Sequence, residues 1–206
     1  MAIKNIIFDL GGVLLNLDFN KTTEAFSALG VENFNQYFTQ FHAHPLFRQL
    51  ETGAIVNEGF YDELRKTAGI DAANYAIDAA WNAMLLDFPA ERIEKIQELA
   101  SGYRLFLFSN TNAIHHTSFH QSFESKFGFQ FDSLFEKAFY SHLAGYRKPD
   151  LSAFEYVIRE AGVEPAHTLF IDDTLPNIEA AQKAGLKALL VTPEKNMVKL
   201  LDEILT

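Results

Sequence analysis

Four short stretches of this 206-residue chain set small polar or charged residues where they could do chemistry. Asp9 follows Ile6-Ile7-Phe8 and precedes Leu10-Gly11-Gly12. Ser109 and Asn110 follow Leu105 to Phe108, and Asp172 and Asp173 follow Leu169-Phe170-Ile171. Lys148 stands within Tyr146-Arg147-Lys148-Pro149-Asp150. An Asp or Ser after an apolar run is ordinarily a turn former or a helix N-cap. If the runs lie side by side, however, they gather three carboxylates on one rim, and such carboxylates repel unless a cation neutralises them. An all-oxygen donor set suits a small hard ion such as Mg²⁺. Among the seven histidines, the His115-His116 pair and His42 with His44 have no matching acidic or cysteine partner at ligand spacing and read as solvated or helix N-terminal residues.

The elements that must position these groups follow from periodicity. Ile3 to Phe8, Arg104 to Phe108, Thr168 to Ile171 and Leu186 to Val191 are short apolar runs bounded by turn residues, which predicts four buried strands. Glu91 to Ala100, Leu151 to Ala161 and Asn177 to Ala184 have apolar positions at helical spacing. Alternating strands and helices predict an α/β fold, a Rossmann-like parallel sheet with helices on both faces. Ligands bind such sheets beyond the carboxyl ends of the strands, where Asp9, Ser109-Asn110 and Asp172-Asp173 fall.

About ninety residues separate the first two strands, too many for a single crossover. From Asn20 to Leu86 the pattern is helical, with Gly30, Gly53 and Gly69 as stops and Asn33, Asn57 and Asp71 near starts. This predicts an inserted α-helical cap domain of four or five helices over residues 18–87, on a core domain of 1–17 and 88–206. Phe34, Tyr37, Phe38, Phe41 and Phe47 are expected to pack the cap's own small core.

Composition narrows the function. With 48% hydrophobic residues the chain can build one substantial core, or a core and a satellite. A net charge of −10 with scattered Lys and Arg excludes a nucleic-acid or anionic-membrane surface. The absence of cysteine excludes a disulfide framework, a thiol nucleophile and a zinc-thiolate site. Asp9 breaks the N-terminal apolar run too early for a signal peptide or a membrane span, so the expected compartment is the cytoplasm, and the expected state a monomer or homodimer.

The succession Phe8-Asp9-Leu10-Gly11-Gly12-Val13, Ser109-Asn110-Thr111-Asn112, Tyr146-Arg147-Lys148-Pro149-Asp150 and Phe170-Ile171-Asp172-Asp173-Thr174-Leu175-Pro176-Asn177 resembles the four signature motifs of the haloacid dehalogenase-like superfamily, in order and across the whole chain. The helical insertion resembles the cap of the subgroup that contains phosphoglycolate phosphatases and phosphoglucomutases. More narrowly, the motifs are similar to those of bacterial sugar-phosphate phosphatases active on glucose 1-phosphate. The resemblance implies a Mg²⁺-dependent phosphatase acting on a small phosphorylated metabolite through an aspartyl-phosphate on Asp9. Asp9, Lys148 and Ser109 would be catalytic. Leu10, Gly11, Gly12, Ser109, Asn110 and Lys148 would bind the substrate, and Asp9, Gly11 through its carbonyl, Asp172 and Asp173 would hold the metal.

These roles are chemically coherent. A carboxylate nucleophile splits phosphate ester hydrolysis into two displacements. The Leu10-Gly11-Gly12 turn can present backbone N–H groups to phosphate oxygens. Ser109 can donate to the transferring group, and Lys148 can pair with both the phosphate and Asp9. Asn177 could brace the acidic pair or Lys148, and Arg147 reads as a surface or support residue.

One departure stands out. The resemblance implies an Asp two residues after the nucleophile as general acid and base, and here that position is Gly11. Proton transfer must then come from water, a cap residue or a side chain such as Asp18. Two rivals follow: a metal-independent dehalogenase, which Asp172 and Asp173 argue against, and a non-catalytic binder of a phosphorylated metabolite. A phosphomutase is disfavoured by the same loss at Gly11. The cap segment Glu51-Thr52-Gly53, with His44 and Arg48 before it, is expected to reach over the site.

Overall fold

The structure is a computed structural model that describes residues 2–40 and 42–205. In chain order the strands are β1 (Asn5–Phe8), β2 (Phe38–Thr39), β3 (His42–Ala43), β4 (Arg104–Ser109), β5 (Lys137–Tyr140), β6 (Thr168–Asp172) and β7 (Lys187–Leu190). The helices are α1 (Phe19–Ala28), α2 (Pro45–Glu51), α3 (Asn57–Ala68), α4 (Asn74–Asn82), α5 (Ala90–Leu99), α6 (Ala113–Phe127), α7 (Ser141–Ala144), α8 (Leu151–Ala161), α9 (Leu175–Lys183) and α10 (Met197–Ile204).

The main sheet runs β5-β4-β1-β6-β7 with every pairing parallel. Alternation along the strands explains why both faces are covered. Ile6, Phe8, Leu105, Leu107, Leu169 and Ile171 enter one buried cluster with α5, α6 and α10, while Ile7, Phe106, Phe108 and Phe170 enter another with α8 and α9. Strands buried on both sides must be apolar throughout, and that made β1, β4 and β6 visible as runs, while the partly buried edge strand β7 showed through its flanking Leu and Val residues. The fifth, β5, departs from the four-strand expectation. It is a four-residue edge strand inside a Phe-rich stretch, pairing only with β4, and its exposed Lys137 interrupts the apolar signal.

Between β1 and β4 the chain builds the helical cap from α1, α2, α3 and α4, with a third buried cluster of its own. Phe34 and Phe47 are fully buried there against Trp81, Phe34 edge-on at 6.3 Å and Phe47 tilted at 4.9 Å. Phe41 lies outside the described residues. The expectation that this segment is helical throughout fails between Phe34 and Ala43. Asn33 takes a left-handed φ of 53°, which stops helical propagation, and a single 3₁₀ turn then leads into the β2–β3 hairpin. Aromatic and β-branched residues favour extended chain over helix in this stretch. The hairpin matters because its tip points at the carboxyl end of the sheet.

Candidate active site

Register places the chemistry. Phe8 pairs with Leu107 on one side and Ile171 on the other, so Asp9 leaves the sheet between the ends of β4 and β6, its N–H donating to Ile171 O at 2.9 Å. Lys148 reaches this point fully buried. Its Nζ lies 2.7 Å from Asp9 Oδ1 and 2.8 Å from Asp172 Oδ2. Asn110 fixes the lysine from the next strand end: its Nδ2 donates to Lys148 O and its Oδ1 accepts from Lys148 N–H, both at 2.9 Å. The Asn110 side chain, expected to bind substrate, is therefore committed to the Lys148 backbone, although the residue does line the cavity.

Asp172 is wholly buried and saturated. Oδ1 accepts from Thr174 N–H and Asn177 Nδ2, and Oδ2 from Lys148 Nζ and Asn177 Nδ2. Asp173 is more open. Its Oδ1 accepts from Thr174 Oγ1, and its Oδ2 accepts from Gln40 Nε2 at 3.0 Å, a cap side chain at the hairpin tip. The glycine at 12 permits this approach: φ is +70°, and a Cβ there would stand 2.2 Å from Asp173 Oδ2. The expectation that all three turn N–H groups serve a phosphate changes at this residue. Gly12 N–H donates to Leu15 O at 2.9 Å, and Gly12 does not line the cavity. Leu10 and Gly11 do line it, and neither their N–H groups nor the Gly11 carbonyl enters a backbone hydrogen bond among the described residues.

Electrostatics mark the cluster as incomplete. Burial first, then Asp172 and Asp173, raise the Asp9 carboxyl against the opposing pull of Lys148, leaving it at about 8. Burial and Asp172 likewise raise Asp173. Burial opposes the Lys148 ammonium, but Asp172 and Asp9 outweigh it and hold its pKa above the ordinary lysine value. One ammonium thus serves three acids whose oxygens lie within 4.8 Å of one another. An oxygen-only trio with a negative excess fits a small divalent cation.

These groups form one end of a cavity of about 340 Å³. Ser109, fully buried in β4, joins Asp9, Lys148 and Asp173 there. The walls are apolar and come mostly from outside the motifs: Leu17, Phe19, Phe38, Met84, Leu85 and Phe119. Arg147, expected to be a surface or support residue, lines the cavity, with Nε 2.6 Å from Oε2 of buried Glu51. Of the cap segment expected to cover the site, only Glu51 lines this space. Arg48 reaches the exposed Asp150 at 3.1 Å, Thr52 Oγ1 returns to Arg48 O, Gly53 packs against the His142 backbone, and His44 Nδ1 caps α2.

His115 lies in the first turn of α6, in keeping with the helix N-terminal reading, but it is not solvated. It is buried, stacks on Trp81 with centroids 4.5 Å apart, and its Nδ1 lies 2.9 Å from Asn82 Oδ1, with burial holding its pKa down to about 3. It lines the cavity as a neutral ring. Asp18 caps α1 through Asn20 N–H, and neither it nor His42 or His44 lines the cavity. Gln40 escaped the sequence reading, and Arg147 and His115 were read without a place in the cavity, because no local spacing ties them to the strand ends. Glu51 was anticipated as part of the segment expected to reach over the site, though not its pairing with Arg147.

A haloacid dehalogenase-like hydrolase family model matches residues 3–185. The chain is 28% identical over 186 residues to a D-ribitol-5-phosphate phosphatase of Bacteroides thetaiotaomicron, covering 90% of each protein. It is 30% identical to a sesquiterpene phosphatase of Aspergillus oryzae, covering 93% of this chain and 91% of that one. Among solved structures, a HAD family enzyme from Bacteroides thetaiotaomicron, complexed with magnesium and inorganic phosphate, superposes with a TM-score of 0.89 at 33% identity, over 97% of this chain and 99% of that one. No helix among the described residues is long and apolar enough to cross a membrane. Match, architecture and strand-end chemistry agree, and the chain belongs to the haloacid dehalogenase-like hydrolases.

Proposed function

We propose that this chain is a Mg²⁺-dependent phosphatase that hydrolyses a small phosphorylated metabolite, a sugar or sugar-alcohol phosphate of the size of glucose 1-phosphate, in the cytoplasm. The observation that carries the reading is the Asp9–Lys148–Asp172 bridge at the end of the cavity with Asp173 alongside. Residues 18–87 would act as the cap over a core of 1–17 and 88–206. The phosphatase relatives support the reaction class.

In the first displacement a carboxylate oxygen of Asp9 attacks phosphorus, an aspartyl-phosphate forms and the ester P–O bond breaks. Lys148 orients Asp9 and favours its ionised form, which the bound cation would complete, while Leu10 and Gly11 N–H and Ser109 Oγ donate to the phosphoryl oxygens. Asp9, Gly11 O, Asp172 and Asp173 would hold Mg²⁺, Asp172 bracing more than ligating because its oxygens are already shared. The ion offsets charge on the phosphoryl group and the acidic cluster. The departing oxygen takes its proton from water, since Gly11 carries no acid. A second water then attacks the aspartyl-phosphate, releasing inorganic phosphate and restoring Asp9. The apolar walls and the cap exclude other solvent during these steps.

Phosphate release from p-nitrophenyl phosphate and from a panel of sugar and sugar-alcohol phosphates tests the reading. Turnover should vanish in chelator and return with Mg²⁺. Full activity in chelator would overturn it.

A further inference from the structure

The motifs account for the phosphate end of the cavity and leave the Glu51–Arg147 pair unexplained. Glu51 is contributed by the cap at the end of α2 and Arg147 by the core just before Lys148, so the pair joins the two parts. Their side chains are only 6% and 18% exposed, and both residues line the cavity. Taking two charges out of water is costly, and an ion pair serving only to fasten cap to core could sit at the rim, as Arg48–Asp150 does with both side chains about half exposed.

The hydrogen bonding of the pair is also unfinished. Glu51 Oε2 accepts from Arg147 Nε, and Arg147 Nη1 donates to Lys148 O at 3.1 Å. Glu51 Oε1 and Arg147 Nη2 have no hydrogen-bond partner among the described residues, and neither atom is sealed from all solvent. One anionic acceptor and one cationic donor are thus held together beside apolar walls. A ligand with neighbouring hydroxyl groups satisfies both, one hydroxyl donating to Oε1 and another accepting from Nη2, while its C–H face lies on Leu17, Phe38 and Leu85. A purely hydrocarbon chain would cover the pair and leave both atoms unpaired, at substantial cost.

Resting on the phosphatase reading, we infer that Glu51 and Arg147 are specificity-determining residues that recognise hydroxyl groups on the leaving-group side of a polyhydroxylated phosphate ester.

The test compares D-ribitol 5-phosphate with n-pentyl phosphate, two primary alkyl phosphates of equal chain length that differ in hydroxyl groups. In Glu51→Gln, Arg147 Nε claims the amide oxygen and turns an NH₂ donor toward the cavity in place of the acceptor. In the double variant Glu51→Ala/Arg147→Ala neither partner is left buried and alone. Both variants should lower the ratio of kcat/KM for ribitol 5-phosphate over pentyl phosphate, by on the order of 10-fold or more, mainly through KM. Thermal melts and the kcat for pentyl phosphate report on folding. An equal fall for both substrates in folded protein would make the pair a closure contact and overturn the inference. If wild type hydrolyses pentyl phosphate and ribitol 5-phosphate but the ratio is unmoved in both variants, the inference fails while the phosphatase reading stands. No hydrolysis of any phosphate ester by wild type would sink both.

Discussion

The two ends of the cavity are built on different principles. At the core end the bracing side chains are over-determined: Asp172 accepts four hydrogen bonds, Lys148 bridges two carboxylates, and Asn110 grips the lysine backbone from both sides. At the cap end single contacts predominate, with Gln40 reaching Asp173, Glu51 reaching Arg147, and apolar side chains between them. Group transfer needs reacting atoms held to fractions of an ångström, whereas recognition of a variable alcohol needs a shape and a few polar points. The same hydrolytic end can therefore serve relatives named for substrates as unlike as ribitol 5-phosphate and a sesquiterpene phosphate.

The strongest break of the comparison is at Asp9. If the core end carries the chemistry, Asp9→Asn should remove turnover of every phosphate ester by about 10⁴-fold or more, whatever the alcohol, with the fold intact. Steady-state phosphate release with a sugar phosphate and with p-nitrophenyl phosphate checks it. Near-wild-type turnover of either by folded protein would place the nucleophile elsewhere.

This contrast also explains what could be read in advance. Asp9, Ser109 and Asp172-Asp173 were legible because each follows an apolar run, and a parallel sheet brings strand ends to one rim whatever lies between them; Lys148, in the loop before α8, was legible only through its Arg-Lys-Pro-Asp context. Asn177 was legible as a brace because it lies one helical turn after the acids, and it does donate to both Asp172 oxygens. The cap end was opaque for the opposite reason. Glu51 and Arg147 are 96 residues apart and Gln40 and Asp173 are 133 apart, joined only by how the insertion folds back. The β2–β3 hairpin was missed because ten aromatic-rich residues between glycine stops carry no firm period, and β5 because an edge strand of four residues barely registers.

Between the two ends lies a seam, where His115 of α6 stacks on Trp81 of the cap. Its stability should be acid-sensitive. Burial holds the folded His115 pKa at about 3, against an ordinary 6.5. The unfolded chain therefore binds a proton below pH 6.5 that the folded protein refuses, so stability present above pH 6.5 is lost as pH falls toward 3. Between pH 7 and pH 5 the loss from this residue amounts to about 2 kcal/mol. His115→Gln should flatten the difference in unfolding free energy between those two pH values by that amount, even if the variant is weaker at both. Denaturant melts of the two proteins at pH 7 and pH 5 decide it, and parallel pH dependence would show that the ring is protonated in the folded state.

The smallest expected effect sharpens the comparison most, because it asks whether the core end can regain the acid it lacks. The backbone does not forbid a side chain at position 11, since positive φ falls at Gly12. The obstacle is Leu17, whose Cδ1 would lie 2.6 Å from a Cβ on residue 11. An apolar wall residue at the end of the first core segment, just before the cap, thus occupies the space that an acid at this position would need. Gly11→Asp alone should therefore give no gain, its carboxyl being deflected by Leu17. Gly11→Asp with Leu17→Ala opens the space, and a general acid there should help esters in proportion to how poorly the alcohol leaves. The ceiling is the roughly 10²–10⁴-fold of general acid–base catalysis, and a misplacement of about 1 Å can cost about 10²-fold. A gain of about tenfold in kcat/KM for a primary alkyl phosphate is therefore expected, with p-nitrophenyl phosphate little changed because its leaving group needs no proton. Leu17→Ala alone is the control for enlarging the cavity. If it gives the same gain as the double variant, space rather than proton transfer limits the reaction. If wild type already treats aryl and alkyl phosphates alike, a residue of the cavity supplies the proton, and Glu51 is the next side chain to replace.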